Sequence, residues 1–245
     1  MKPTKRRLAV AGICAPRSAT KPLDNPVTGY DFRVRTVAIC LASLAGYIDA
    51  LGFMELGGFF VSFMSGNSTR LAVGMTADLA NAALAASLIL TFLLGVIAGS
   101  LVARFAKHHR RAAVMSFVAA LLFTAASLNA VGFQHAAIVA MGLAMGAENT
   151  VFERDGEVSI GLTYMTGALV KLGQRLAIAL TGGSKTAWGP YFLLWSGLVG
   201  GAVLGSSAYA HLGLKALWPA AIASVGLSIA LARIGHGEIS PREDP

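Results

Sequence analysis

Six stretches of this chain, 34–54, 82–105, 112–131, 135–152, 188–210 and 216–234, each run for about twenty residues with almost no charge. A helix needs about 20 apolar residues to cross a hydrocarbon layer of about 30 Å, and all six meet that length within a few residues. Hydrophobic residues make up 55% of the 245 and charged ones only 13%, too little charge to clothe a water-soluble surface of that size. Backbone in lipid must satisfy its own hydrogen bonds, so the fold class is an all-α integral membrane protein.

A second feature is repetition. SFMSGNSTRL at 62–71 returns as TYMTGALVKL at 163–172, with Met64 on Met165, Gly66 on Gly167 and Arg70 on Lys171. Ala42 and Gly46 correspond to Gly142 and Gly146, Asp49 falls opposite Asn149, and Gly95 and Gly99 are aligned with Gly197 and Gly201. Such self-similarity predicts two related membrane halves, a first repeat over 34–111 and a second over 112–234. A basic, proline-bearing tail over 1–33 is expected to be disordered and cytoplasmic, and 235–245 forms a short C-terminal tail. The apolar run 8–15 after Lys5, Arg6 and Arg7 is too short to argue for a cleaved signal.

The motif segments 56–77 and 157–180 each either cross once or enter and return, and length alone does not choose. Basic residues gather on the cytoplasmic side of membrane proteins, and this asymmetry discriminates. With six crossings and the N-terminus inside, 18 Lys and Arg are cytoplasmic and only Arg70 and Lys215 lie outside; with eight, the division falls to 14 against 6. The expectation is therefore six transmembrane helices plus two re-entrant or broken helices. Three crossings per half is odd, which makes the halves inverted repeats, the plan of many transporters and channels. Both termini are cytoplasmic and the compartment is the cell inner membrane. The net charge of +8 reads as orientation, not as a nucleic-acid footprint.

Acids inside apolar spans cost roughly 2.5–3.5 kcal/mol at the helix centre. Asp49 and Glu148 are two such acids, each requiring a proton, a donor, a cation or water, with Asn67, Asn149 and Lys171 as candidate neighbours. Glycine permits reversal at membrane depth, and Ser65 and Thr166 stand beside the central glycines, where a hydroxyl can cap freed donors. The candidate solute or ion path is thus Asp49, Ser65, Gly66, Asn67, Glu148, Asn149, Thr166, Gly167 and Lys171, with the two glycine-centred bends meeting in the interior. Glu55 and Asp78 are expected to be solvated at the interface, and Trp188, Tyr191, Trp195 and Trp218 to anchor there.

No catalytic residues are assigned: the chain has no phosphate loop, no Gly-x-Ser-x-Gly elbow and no nucleophile–base pair. No metal-ligand cluster and no cofactor motif stands in it either, and the expectation is a non-enzyme without cofactors. His108 and His109 are adjacent and so point apart. With Cys14 in the tail and Cys40 in the first span, no disulfide framework is implied. Expected partners are the lipid bilayer and a small polar solute or ion; self-association into a homo-oligomer is left open. The other reading is a non-transporting membrane scaffold or partner subunit, in which the same residues join helices.

AGYIDALGFMELGGFFVSFMSGNSTRLAVG at 45–74, with its Tyr-x-Asp-Ala and Phe-x-x-x-Met-Ser-Gly-Asn elements, resembles the first signature of the YoaK-like family of uncharacterised bacterial membrane proteins. GAENTVF at 146–152 and TYMTGAL at 163–169 are similar to its second signature, with Glu148 where that pattern has Gln. The resemblance spans about residues 34–233. It implies a multi-pass inner-membrane protein of a domain-of-unknown-function family and names no substrate.

Overall fold

The computed structural model describes residues 32–154, 157, 158, 163 and 165–234. Eight α-helices account for nearly all of it: α1 (Phe32–Glu55), α2 (Met64–Ala77), α3 (Leu79–Ala106), α4 (Arg110–Ala130), α5 (Gln134–Glu148), α6 (Met165–Leu180), α7 (Gly189–Leu212) and α8 (Leu217–Ile234). Two short 3₁₀ turns, Lys107–His109 and Gly213–Ala216, link α3 to α4 and α7 to α8. Between α5 and α6 lies a two-rung ladder, Glu153–Arg154 against Glu157–Val158. The tail expected over 1–33 falls outside the described residues except for Phe32 and Arg33, which open α1; the tail at 235–245 lies wholly outside.

Among the described residues four stretches are long and apolar enough to cross a membrane: Phe32–Glu55, Leu79–Ala106, Arg110–Ala130 and Gly189–Ile234, the last comprising α7 and α8. The segment 135–152 departs from expectation. Its helix stops at Glu148 after 15 residues, and 149–152 continue as buried turns.

Glycine geometry sets where the helices end. After α1 the amide of Gly58 donates to the carbonyl of Phe53, with Gly57 at φ 62° and Gly58 at φ 107°; this left-handed closure is one that glycine alone adopts without strain. Asp78 starts α3 as its N-cap, accepting from the amides of Ala80 and Asn81.

Small residues set how the helices pack. A Cβ on Gly46 would strike the carbonyl oxygen of Leu198, one on Gly201 that of Ser43, and one on Gly205 that of Tyr47. From Ile39–Gly197 through Ser43–Gly201 to Tyr47–Gly205 the paired numbers rise together, so α1 and α7 run parallel in close contact. In the same way Gly146 faces the carbonyl of Phe92, Gly95 faces that of Leu143, and Gly99 meets Ala147, so α3 and α5 also run parallel. The α4–α8 pair is antiparallel: Ser116 and Ser228 share a hydrogen bond at 2.7 Å, Ser228 reaches the Ala112 carbonyl at 3.2 Å, and Phe123 lies edge-on to Trp218.

These contacts correct one alignment. The match of Gly46 to Gly146 stands, but Gly95 and Gly99 occupy the places of Gly201 and Gly205, not of Gly197 and Gly201. Both helices carry a small residue at every fourth position, so a slip of one turn leaves the sequence match intact while moving every packing partner.

Candidate functional site

Asp49 lies one and a half turns before the end of α1, and the chain leaving α1 turns back to it. Its Oδ1 accepts from the amides of Val61 at 2.9 Å and Ser62 at 2.8 Å. Asn67, fully buried on the first turns of α2, holds the neighbouring residue from the other side. Its Oδ1 accepts from the amide of Phe60 at 3.1 Å and its Nδ2 donates to the carbonyl of Phe60 at 2.6 Å. Residues 56–63 are therefore non-helical backbone in which the amides of residues 60–62 are held by two side chains that the sequence singles out. Arg70, one turn further along α2, lies with its guanidinium 4.8 Å from the centre of the Phe59 ring and packs against Gly58.

The second half repeats half of this arrangement. Asn149, at the end of α5, accepts from the Thr163 hydroxyl at 2.9 Å and donates to the Met145 carbonyl at 2.9 Å. Thr163 stands at the place of Ser62, so the clasp between the first helix of each half and the segment before its motif helix occurs twice. The Asn67 clasp does not, because its counterpart is Ala168.

Other expectations are revised. The reversal lies at Gly57 and Gly58. Gly66 sits inside α2, where a Cβ would press on the rings of Phe60 and Phe63; Gly167 sits inside α6 with open space beside it. Ser65 and Thr166 are exposed, and no side chain caps α2. Lys171 is exposed, its Nζ 5.9 Å from the Tyr191 ring centre, away from both acids. Each motif helix lies chiefly against a long neighbour, α2 along α3 and α6 along α7. An apolar match to the neighbouring long helix decides this, since Gly74 nests directly on Ala82.

Glu148 is fully buried, and neither carboxylate oxygen has a hydrogen-bond partner among the described residues. Glu55, expected to be solvated, accepts a 2.7 Å hydrogen bond from the Tyr209 hydroxyl. Asp78 is exposed as expected but serves as a helix cap. Tyr191 is buried, not an interfacial anchor. Arg70 and the Ser116–Ser228 pair were not among the sequence candidates; the positive φ demanded by consecutive glycines at 57 and 58 is the one sequence signal near Arg70. Among the described residues no cluster of His, Cys, Asp or Glu could hold a metal ion.

Along the cleft between α1 and α7, Asp49 lines a space of about 600 Å³ together with Phe53, Met54, Phe60, Leu198 and Ser206, among others. A helical bundle of apolar spans with non-helical backbone held by an acid within one span defines a multi-pass membrane protein. The chain belongs to the family described as protein of unknown function (DUF1275), whose model matches residues 37–230. It is also similar to the UPF0700 transmembrane protein RA0705 of Rhizobium meliloti (strain 1021), 37% identical over 196 residues, which cover 79% of this chain and 84% of that protein. No solved structure matches.

Proposed function

We propose that the chain is an inner-membrane transporter or channel for a small polar solute or ion, built from two inverted halves, with six crossings and two helices, α2 and α6, that enter the bilayer without spanning it. Helix directions support this. After the turn at 213–216, α8 returns along α1, against the direction of α7 and therefore of α1. Since α4 opposes α8, it runs with α1; α3, joined to α4 by a short turn, then opposes α1. Had α2 crossed the membrane, α3 would run with α1. Because α5 runs with α3 and α7 with α1, the same holds for α6.

Length agrees. With 14 and 16 residues, α2 and α6 extend about 21 and 24 Å, short of a 30 Å core. At 15 residues, α5 is as short and crosses only with the buried turns 149–152 that continue it, so helix direction rather than length carries this reading. In this reading α1 corresponds to α5 at a spacing of 100 residues, and α3 to α7 at 106. The join between halves then falls at the turn 131–133, not at 111, because α4 pairs with α8 and belongs to the first half. Both termini are cytoplasmic, the surrounding partner is lipid, and no covalent chemistry is assigned to the chain.

The observation that carries the functional reading is the non-helical stretch 56–63, held beside Asp49 about 9 Å back along α1 from its end. Irregular backbone at membrane depth persists where it is buried in protein or lines a cavity, and transporters build their sites from it. Reconstituted protein compared with empty vesicles for uptake across a panel of solutes and ions tests the reading. Flux that falls in Asp49→Asn or Glu148→Gln supports it; no flux for any solute, or flux indifferent to both acids, contradicts it. A scaffold role is favoured by one specific observation, that Asp49 and Asn67 both hold the backbone of residues 60–62, a fastening that needs no solute.

A further inference from the structure

The cleft between α1 and α7 is apolar except for one charge. Asp49 is the only ionisable group on its wall; Glu55, a turn and a half above, is engaged by Tyr209, and Ser206 donates its hydroxyl to the Val203 carbonyl. The amides of Val61 and Ser62 both donate to Oδ1, and the Ser62 hydroxyl and the Phe63 amide also donate to this carboxylate, yet no cation is paired with it among the lining residues. Two aromatic rings line the same cleft: Phe53 and Phe60 have centroids 5.0 Å apart at an interplanar angle of 42°. From these features we infer that the cleft binds an organic cation, an ammonium centre on an apolar body, with the charge against the Asp49 carboxylate and the body against Phe53, Phe60 and Leu198.

The chemistry excludes the nearer alternatives. A hydrated metal ion takes several oxygen ligands, and this wall offers one carboxylate. An anion would meet an acid with no base nearby, and a neutral polar solute would bury its groups against hydrocarbon. An ammonium compensates the carboxylate, gains from the aromatic faces and lets its apolar part fill the remaining wall. The cleft runs from Met54, near the end of α1, down to Asp49, so a cation can reach the acid from the interface. This inference rests on the transport reading for its purpose, naming the class of solute that the same acid would select.

Binding of radiolabelled tetraphenylphosphonium to the full chain in lipid nanodiscs, with competitors, tests it. Benzyltrimethylammonium should displace the label, and its uncharged isostere neopentylbenzene should not. Asp49→Asn should weaken binding at least about tenfold, equivalent to 1.4 kcal/mol. Because Asp49 also holds the loop, a second variant is needed: Val203→Trp fills the cleft from an exposed position on α7 without touching that acid, and it too should abolish binding while leaving helix content unchanged. Equal displacement by both competitors, or binding indifferent to Asp49→Asn and Val203→Trp, overturns the inference. Binding without flux would overturn the transport reading alone, and flux of non-cationic solutes without ammonium binding would overturn the inference alone.

Discussion

Single atoms decide how much each side chain at the α1–α2 junction contributes. At Asp49 the structure asks for an acceptor facing two amides, and charge is a separate matter. Asp49→Asn keeps an acceptor; Asp49→Ala leaves the amides of Val61 and Ser62 without one. A buried unpaired donor costs about 1–3 kcal/mol, so the Ala variant should melt clearly below the Asn variant in detergent. Glycine at the α1–α7 contact is equally specific. Gly46→Ala and Gly201→Ala push a methyl into a carbonyl on the facing helix and should each destabilise by about 1–3 kcal/mol, whereas Gly200→Ala, with nothing nearby, should be neutral or stabilising by up to about 1 kcal/mol. Glu148 differs again, since among the described residues it has no hydrogen bond to lose. Glu148→Met should stay within about 1.5 kcal/mol of wild-type stability while losing flux; a large loss of stability would mean that the carboxyl has a structural partner.

At the scale of elements, the turn after α1 is the part of the fold most dependent on local backbone. Gly58 at φ 107° carries Arg70 over it, and Gly58→Ala combines a strained backbone, about 1–2 kcal/mol, with displacement of that guanidinium. It should detach α2 from the loop, read as faster amide exchange at Phe60 to Ser62. Much of this level was legible in the residues. Apolar runs gave the long helices, since lipid leaves few alternatives, and the SFMSGNSTRL and TYMTGALVKL repeat located both short helices. The residues did not tell where the bend lies, because Gly66 is required for contact with Phe60 and Phe63 while Gly57 and Gly58 supply the reversal. Nor did they fix the α3–α7 correspondence. Glycines four apart look alike after a one-turn slip, and only contacts with Leu143 and Ser43 distinguish Gly201 from Gly197 as the partner of Gly95. Asn67 was legible as a candidate, but its role as a clamp on Phe60 depends on a long-range fold-back that no local pattern encodes.

For the whole molecule, the α1–α7 and α3–α5 contacts form two copies of one parallel crossing, and α4 and α8 lie against each other between the halves. Each copy fastens the chain after its first helix, at Ser62 through Asp49 and at Thr163 through Asn149. The two copies differ in their polar residues: one has a hydrogen-bonded acid and a clamp at Asn67, the other a buried acid with no donor among the described residues, and Ala168. All of this depends on the motif helices turning back before they cross. Single cysteines at positions 79 and 108, introduced one at a time into a chain with Cys14 and Cys40 replaced, report it when intact cells meet a membrane-impermeant thiol reagent. The account predicts labelling of position 79 from outside and of position 108 only after permeabilisation; the reverse pattern would mean that α2 spans the bilayer and would contradict it.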